Sequence, residues 1–245
     1  MNVPTFQPAS AAQNTRTTFI TYSIVWASYF VFFILIGILS TRFPELVSNE
    51  FQQDGILELL KKDPLRLIIS AIIIAPIFEE IMFRGLLRPS HSELLLFMSA
   101  WMGFFFMLLT GGLAYPYLKM LGLGVVFISS YYLFQLWFSE KSSASLRKWF
   151  HRYAGMLWVV SSLVFGLVHI YNYVDSFLLN AALVVAIIPR ILIGFAAGYL
   201  KLRTGVLAWP ILLHFLNNAV AIGLMLFFEY WQTNPVTILD LRFEI

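Results

Sequence analysis

The residues of this chain that could do chemistry fall into three clusters, each inside an otherwise apolar stretch. These clusters are Glu79, Glu80 and Arg84, then His169, and finally His214 and Asn218. Ionisable side chains inside apolar spans are rare, and they usually face a protein-lined cavity where they have a function. Together, these residue types can supply a general base, a proton donor and stabilisers of a developing negative charge. The set therefore predicts a buried reaction centre.

The spacing of the first cluster separates its two carboxylates. Glu80 and Arg84 are four residues apart, so on a helix they share a face and can form an ion pair. Glu79 points about 100° away from Glu80 and has no local partner, which suits a general base. The alternative is that all three side chains, near Arg88, form a salt-bridge network that only stabilises packing.

The second and third clusters each allow two interpretations. His214 and Asn218 are also four residues apart, so an imidazole and a carboxamide could together stabilise an oxyanion. They could instead hydrogen-bond neighbouring helices, and the same holds for His169. Asn217 points away from this pair and is predicted to serve helix packing.

Absent motifs narrow the class of reaction. The chain has no cysteine, which excludes thiolate nucleophiles, disulfides and Cys-bound metals. It also lacks the His-Glu-x-x-His and Gly-x-Ser-x-Gly motifs. Attack by an activated water on an amide bond remains. Zn²⁺ or another divalent metal could be held by Glu79, His169 and His214, or the same groups could act directly without any metal.

The elements that must position these residues are membrane spans. Of the 245 residues, 60% are hydrophobic and only 12% are charged, with a mean hydropathy of +0.79. Soluble domains carry about a quarter charged residues. Apolar windows fall at about 18–40, 66–88, 93–113, 117–138, 154–172, 177–200 and 206–229. The pattern predicts an all-α bundle forming one membrane domain over 1–245, with seven spans, or eight if Pro189 divides the sixth window.

The segments between the predicted spans indicate how the protein is oriented in the membrane and which partners it is expected to contact. Ile56, Leu59 and Leu60 predict an amphipathic interfacial helix within 41–64, and 139–152 is predicted to be a membrane-surface loop anchored by aromatic side chains. Nine Lys and Arg residues lie on the N-terminal side and six on the other, which favours a cytoplasmic N-terminus. With a net charge of +3 and no basic run, nucleic acid is not an expected partner, whereas the lipid bilayer is.

The order of the three clusters carries a family resemblance. Glu79-Glu80-x-x-x-Arg84, Phe165-x-x-x-His169 and His214-x-x-x-Asn218 resemble the motifs of the CPBP intramembrane proteases. That family includes type II CAAX prenyl proteases and bacteriocin-processing or immunity proteins. The resemblance covers about 66–229 and leaves out the first span, at about 18–40.

The resemblance implies a role for each motif residue. Glu79 would activate water with help from His169, His214 and Asn218 would form the oxyanion hole, and Glu80 and Arg84 would support the site. The substrate would be a protein or peptide that is membrane-associated, prenylated or leader-bearing. A catalytically idle immunity or scaffold protein is the alternative, followed by a proton-coupled transporter, which the lack of an inverted repeat disfavours.

Span depth sets a condition on this mechanism. Counted from the N-terminal side of the membrane, Glu79 and His214 lie about nine residues deep and His169 about fifteen, a mismatch near 9 Å. A later start of the fifth span, or tilt, would be needed to bring His169 within a turn of Glu79.

Overall fold

The computed structural model describes residues 10–47, 54–111, 115–174 and 177–233. These residues form helices and short connections and contain no strand. In chain order the helices are α1 (Ala11–Ser40), α2 (Asp54–Lys62), α3 (Pro64–Ile68), a π-helical segment (Ile69–Ile74), α4 (Ala75–Arg84), α5 (His91–Leu109), α6 (Pro116–Trp137), α7 (Glu140–Arg152), α8 (Ala154–Val168), α9 (Ala181–Thr204) and α10 (Ala208–Thr233). Short 3₁₀ turns cover Pro44–Leu46 and His169–Asn172. The predicted all-α fold is confirmed.

Six helices are long and apolar enough to cross a membrane: α1, α5, α6, α8 with its 3₁₀ extension, α9 and α10. The chain is therefore an integral, multi-pass membrane protein. Helix α3, the π segment and α4 follow one another without a break over 64–84, and α4 packs against α5, α8 and α10. We count this rod as a seventh span. Pro189 lies inside α9, which is a single helix, so the division of the sixth window is wrong.

Polar residues fix where the helices begin and end. At α5 the Ser90 side chain accepts from the Glu93 backbone N–H, and Glu93 in turn accepts from the Ser90 N–H, which forms a capping box. At α9 the Asn180 side chain accepts from the Leu183 N–H at 2.8 Å. Helix α9 ends at Gly205, whose φ of 75° closes the helix in the left-handed region.

The two predicted connections are both helical. Helix α2 is the expected amphipathic helix, and its partly buried Ile56 and Leu59 pack towards the bundle. The loop predicted for 139–152 is wrong, because α7 occupies it and is capped by the Ser139 hydroxyl. Leu146, Trp149 and Phe150 stand three and four residues apart, which is the spacing of one helical face. The apolar residues therefore share one face of α7.

Helices α8 and α9 approach closely because α9 carries glycines four residues apart. A Cβ at Gly194 would lie 3.1 Å from the Ser162 carbonyl oxygen, and one at Gly198 would overlap the Trp158 ring. Small residues at this spacing let membrane helices pack backbone to backbone. The close approach leaves the Gly194 carbonyl inside the bundle, beside α4.

The π-helical segment displaces the backbone just before the first cluster. Its last hydrogen bond runs from the Ala75 N–H to the Ser70 carbonyl, five residues back. Pro76 follows and has no N–H to donate. Single π-helical turns often mark functional sites, because they release backbone groups from the regular ladder. Here the Ala71 carbonyl bonds a side chain of α10.

Candidate active site

Helix α4 brings the three predicted clusters together, because it packs against both α8 and α10. Glu79, Glu80 and Arg84 lie on α4, His169 begins the 3₁₀ turn after α8, and His214 and Asn218 lie one turn apart on α10. The condition set by span depth is met, since the Nε2 of His169 lies 3.8 Å from a carboxylate oxygen of Glu79. Helix α8 begins at Ala154, where the apolar window begins, so the mismatch is not absorbed by a later start.

Glu80 and Arg84 form the predicted ion pair and are fully buried. The Arg84 Nε lies 3.2 Å from a Glu80 carboxylate oxygen, and both side chains are at most 1% exposed. Arg84 also donates to the Gly194 carbonyl at 3.0 Å, and its guanidinium carbon lies 4.3 Å from the centre of the Phe165 ring. Such contacts compensate a buried charge for its lost hydration.

Glu80 has a second partner that the sequence does not predict. Its other carboxylate oxygen, Oε1, lies 2.9 Å from the Nδ1 of His214 on α10. The two residues are 134 positions apart, so no local spacing could reveal the contact. Glu80 thus joins Arg84 on its own helix to the imidazole of another, which fixes the orientation of the His214 ring.

Glu79 faces both imidazoles and has no hydrogen-bond partner for one of its oxygens among the described residues. That oxygen, Oε2, lies 3.8 Å from the Nε2 of His169 and 3.8 Å from the Nε2 of His214. The Glu79 side chain is 28% exposed, in contrast to its neighbour Glu80. The acid without a local partner therefore lies where the two histidines converge.

A hydrogen bond to the backbone fixes the tautomer of His169, so the nitrogen that faces Glu79 is an acceptor. Its Nδ1 lies 2.6 Å from the Phe165 carbonyl oxygen, which can only accept, so Nδ1 carries a proton. In the neutral ring Nε2 is then an acceptor. Two acceptors 3.8 Å apart do not bond each other, but a water molecule between them could donate one O–H to each.

The Asn218 amide is held at both ends. Its Nδ2 donates to the Ala71 carbonyl at 2.8 Å, and its Oδ1 accepts from Asn217 Nδ2 at 3.3 Å. One N–H of Asn218 remains available to a ligand. Asn217 is buried, as expected for a packing residue, yet it also contacts the predicted site.

Two chambers meet at Glu79. The apolar chamber, of about 620 Å³, lies between α4, α5 and α8, with Phe78, Trp101 and Leu108 among its lining residues. The polar chamber, of about 200 Å³, is lined on the α10 side by His214 and Asn218. Four residues line both chambers: Ala75, Glu79, His169 and Asn172. A long apolar ligand in the first chamber would end at the polar groups of the second.

The sequence predicts that Arg190, beside Pro189, bonds freed backbone or snorkels, but the structure places it in the lining of the polar chamber. It lies in the middle of α9, beside Pro189, and makes no ion pair or hydrogen bond with another described residue. The available signal was a charge well inside an apolar span. The other two histidines, His91 and His151, bond Ser143 and the Pro89 carbonyl near α7, away from the site.

The predicted metal ligands approach one another without forming a metal site. Among the described residues, no group of three or more His, Cys, Asp or Glu side chains is arranged to hold a metal ion. Glu79, His169 and His214 have the right chemistry, but Glu79 contacts each imidazole only at 3.8 Å. In this arrangement the three side chains do not form a metal-binding group.

Comparison with known proteins identifies the family. Residues 61–220 match the family described as type II CAAX prenyl endopeptidase Rce1-like. All six predicted site residues fall inside this range, whereas α1 and the end of α10 lie outside it. No curated protein and no solved structure gives a significant match. Because the match covers well over half of the chain, the protein belongs to the Rce1-like family of type II CAAX prenyl endopeptidases, as its three motifs predict.

Proposed function

We propose that this protein is an intramembrane endopeptidase that hydrolyses a peptide bond by attack of a water molecule activated by Glu79 and His169. The observation that carries the proposal is the convergence of two imidazole nitrogens on one Glu79 oxygen, each at 3.8 Å. That oxygen has no hydrogen-bond partner among the described residues. A carboxylate beside two imidazoles, open to a chamber, suits general acid–base chemistry.

In the proposed first step, water binds between Glu79 Oε2 and His169 Nε2. Glu79 takes one proton while the water oxygen attacks the carbonyl carbon of the scissile bond. The His169 ring accepts the second O–H and orients the water, because its own Nδ1–H is held by the Phe165 carbonyl. Collapse of the tetrahedral intermediate breaks the C–N bond, and the proton on Glu79 passes to the departing amine. The products are a carboxylic acid and an amine, and transfer of the remaining O–H proton from the acid to the amine gives a carboxylate and an ammonium group.

His214 and Asn218 are the proposed oxyanion donors. The free N–H of Asn218 Nδ2 can donate to the oxygen that becomes negative. His214 can donate from Nε2 when its ring is protonated, since Nδ1 is engaged by Glu80. Loss of one such donor commonly lowers kcat by about 10²–10³-fold. Glu80 and Arg84 are positioning residues, which hold the His214 ring and the α4 backbone.

The proposed substrate is a membrane-associated polypeptide. The apolar chamber, which ends at Glu79, could receive an apolar side chain, a leader helix or a prenyl chain. The family makes a peptide substrate the expected one.

Three further predictions belong to the proposal. A divalent metal such as Zn²⁺ at Glu79, His169 and His214 stays a prediction, checked by metal analysis of the purified protein and by chelator treatment. Residues 1–245 are proposed to act as one membrane domain. The N-terminus is proposed to be cytoplasmic, from a charge count that includes Arg242, which lies outside the described residues.

The test compares membrane proteins from cells that carry the wild-type chain, Glu79→Gln or His169→Ala. Protein termini that stay uncut in both variants, with normal amounts of folded protein, are expected and would identify the substrate. An unchanged biological effect in both variants would instead favour an idle immunity or scaffold protein. A proton-dependent solute flux lost in Glu79→Gln, with no altered termini, would indicate a transporter.

A further inference from the structure

Helix α1 lies outside the residues that match the family, yet it enters the core of the bundle. Its Val25 and Tyr29 pack in one buried cluster with Phe165 of α8 and Leu213 of α10. The Tyr29 side chain is largely enclosed, with 7% of the residue exposed. A phenol in that position needs a hydrogen-bond partner, and its partner lies next to the candidate active site.

A chain of hydrogen bonds connects Tyr29 to the proposed oxyanion donor. The Tyr29 hydroxyl lies 3.2 Å from Asn217 Oδ1 and 3.1 Å from the Pro189 carbonyl oxygen. Asn217 Nδ2 donates to Asn218 Oδ1 at 3.3 Å, and Asn218 Nδ2 donates to the Ala71 carbonyl at 2.8 Å. The chain therefore runs from α1 through α10 to the π-helical segment.

Each bond in this chain has a direction that determines the next. The single proton of the Tyr29 hydroxyl is shared between two acceptors, the Pro189 carbonyl oxygen and Asn217 Oδ1. Its donation to Asn217 Oδ1 favours the orientation in which the amide nitrogen of Asn217 faces Asn218. Asn218 must then present its oxygen to Asn217 and its nitrogen to Ala71 and the polar chamber. If the Asn217 amide were reversed, it would favour the opposite orientation of Asn218, with an oxygen facing the chamber. An oxygen there would repel an oxyanion instead of stabilising it.

We propose that Tyr29 is a positioning residue for catalysis: through Asn217 it holds the Asn218 carboxamide with its N–H towards the reacting carbonyl. This inference rests on the proposed function. The Ala71 carbonyl holds the same orientation from the other side, so loss of the Tyr29 hydroxyl weakens the preference without abolishing it. Helix α1 then contributes to catalysis through Tyr29, although it lies outside the residues that match the family.

The matched variants are Tyr29→Phe and Tyr22→Phe. Both remove one hydroxyl from α1, but among the described residues the Tyr22 hydroxyl bonds only the Leu216 backbone carbonyl, at 3.3 Å. On a peptide spanning the terminus that stays uncut with Glu79→Gln, we expect Tyr29→Phe to lower kcat about 3–10-fold with KM unchanged. Tyr22→Phe should leave both constants within about twofold. Asn217→Asp, which cannot donate to Asn218, should lower kcat at least as much as Tyr29→Phe.

A second measurement needs no cleavage. Thermal unfolding of the Tyr29→Phe, Asn218→Ala and double variants should show non-additive stability changes, whereas the same cycle with Tyr22→Phe should be additive. An additive cycle at Tyr29, or an unchanged kcat in Tyr29→Phe, overturns the inference. A coupled cycle in a protein whose wild-type form cleaves nothing overturns the proposed function, and the catalytic role of Tyr29 falls with it.

Discussion

The two sides of one turn of α4 carry adjacent carboxylates in opposite surroundings. On one side Glu80 is enclosed and contacts both Arg84 and His214. On the other side Glu79 lines two chambers, and its Oε2 approaches the two imidazole nitrogens only to 3.8 Å. A carboxylate enclosed by an ion pair and a hydrogen bond stabilises the structure, whereas one that lines a cavity without such close contacts can bind a reactant. Two adjacent residues therefore differ in their proposed roles: Glu80 stabilises the structure, and Glu79 takes part in the reaction.

Glu79→Gln gives the largest effect expected from this comparison. The amide cannot accept a proton from water, so cleavage should fall about 10²–10⁴-fold. Thermal unfolding of the purified protein should stay close to that of wild type, because Glu79 makes no hydrogen bond to another side chain in the part of the chain that the structure describes. Cleavage of the identified terminus is the measurement. If the variant were destabilised but still active, Glu79 would have a structural role and not a catalytic one.

Arg84→Met, in contrast to Glu79→Gln, should mainly lower the stability of the protein. It leaves Glu80 as a buried carboxylate without its ion pair, and breaking such a pair costs about 3–5 kcal/mol of unfolding free energy. Unfolding in detergent is the measurement, with Arg84→Lys as the variant that keeps the charge. A stability of Arg84→Met equal to that of wild type would show that the pair does not hold the fold.

Leu108→Trp tests the apolar chamber on the Glu79 side. Leu108 and its neighbour Leu109 are both exposed, but only Leu108 lines the chamber. The larger ring should occupy part of the chamber and raise KM for an apolar substrate roughly 3–10-fold, with little change in kcat. Leu109→Trp is the matched control. Equal KM values for the two variants would mean that the substrate does not enter this chamber.

Lys62→Met should have the smallest effect. Glu58 and Lys62 have the same spacing as Glu80 and Arg84, but both are exposed on α2. The hydrogen bond and charge of Lys62 lower the pKa of the Glu58 carboxyl, so any stabilisation exists above its ordinary pKa and is lost on acidification. Removal of Lys62 should return that pKa towards its usual range, as read by NMR titration. Stability at neutral pH should not change measurably.

Residue spacing predicted much of the site. The i, i+4 rule paired Glu80 with Arg84 and left Glu79 free, because helix geometry is local and depends on sequence distance alone. Apolar windows predicted the spans, since the lipid requires about 20 apolar residues wherever a helix crosses. The prediction of a loop at 139–152 was wrong. The segment has few apolar residues, so its helical spacing did not distinguish a helix from a loop anchored by aromatic side chains.

What the sequence by itself determined is the set of reactive groups, their helices and the family to which the three motifs belong. Only the tertiary structure decided that Glu80 bonds His214, that Arg190 lines the polar chamber and that Tyr29 reaches Asn218 through Asn217. These contacts join residues far apart in the chain, and they depend on how deep and at what rotation each helix packs. Rotation and depth follow from close contacts such as Gly194 against Ser162, which periodicity along a single helix does not encode.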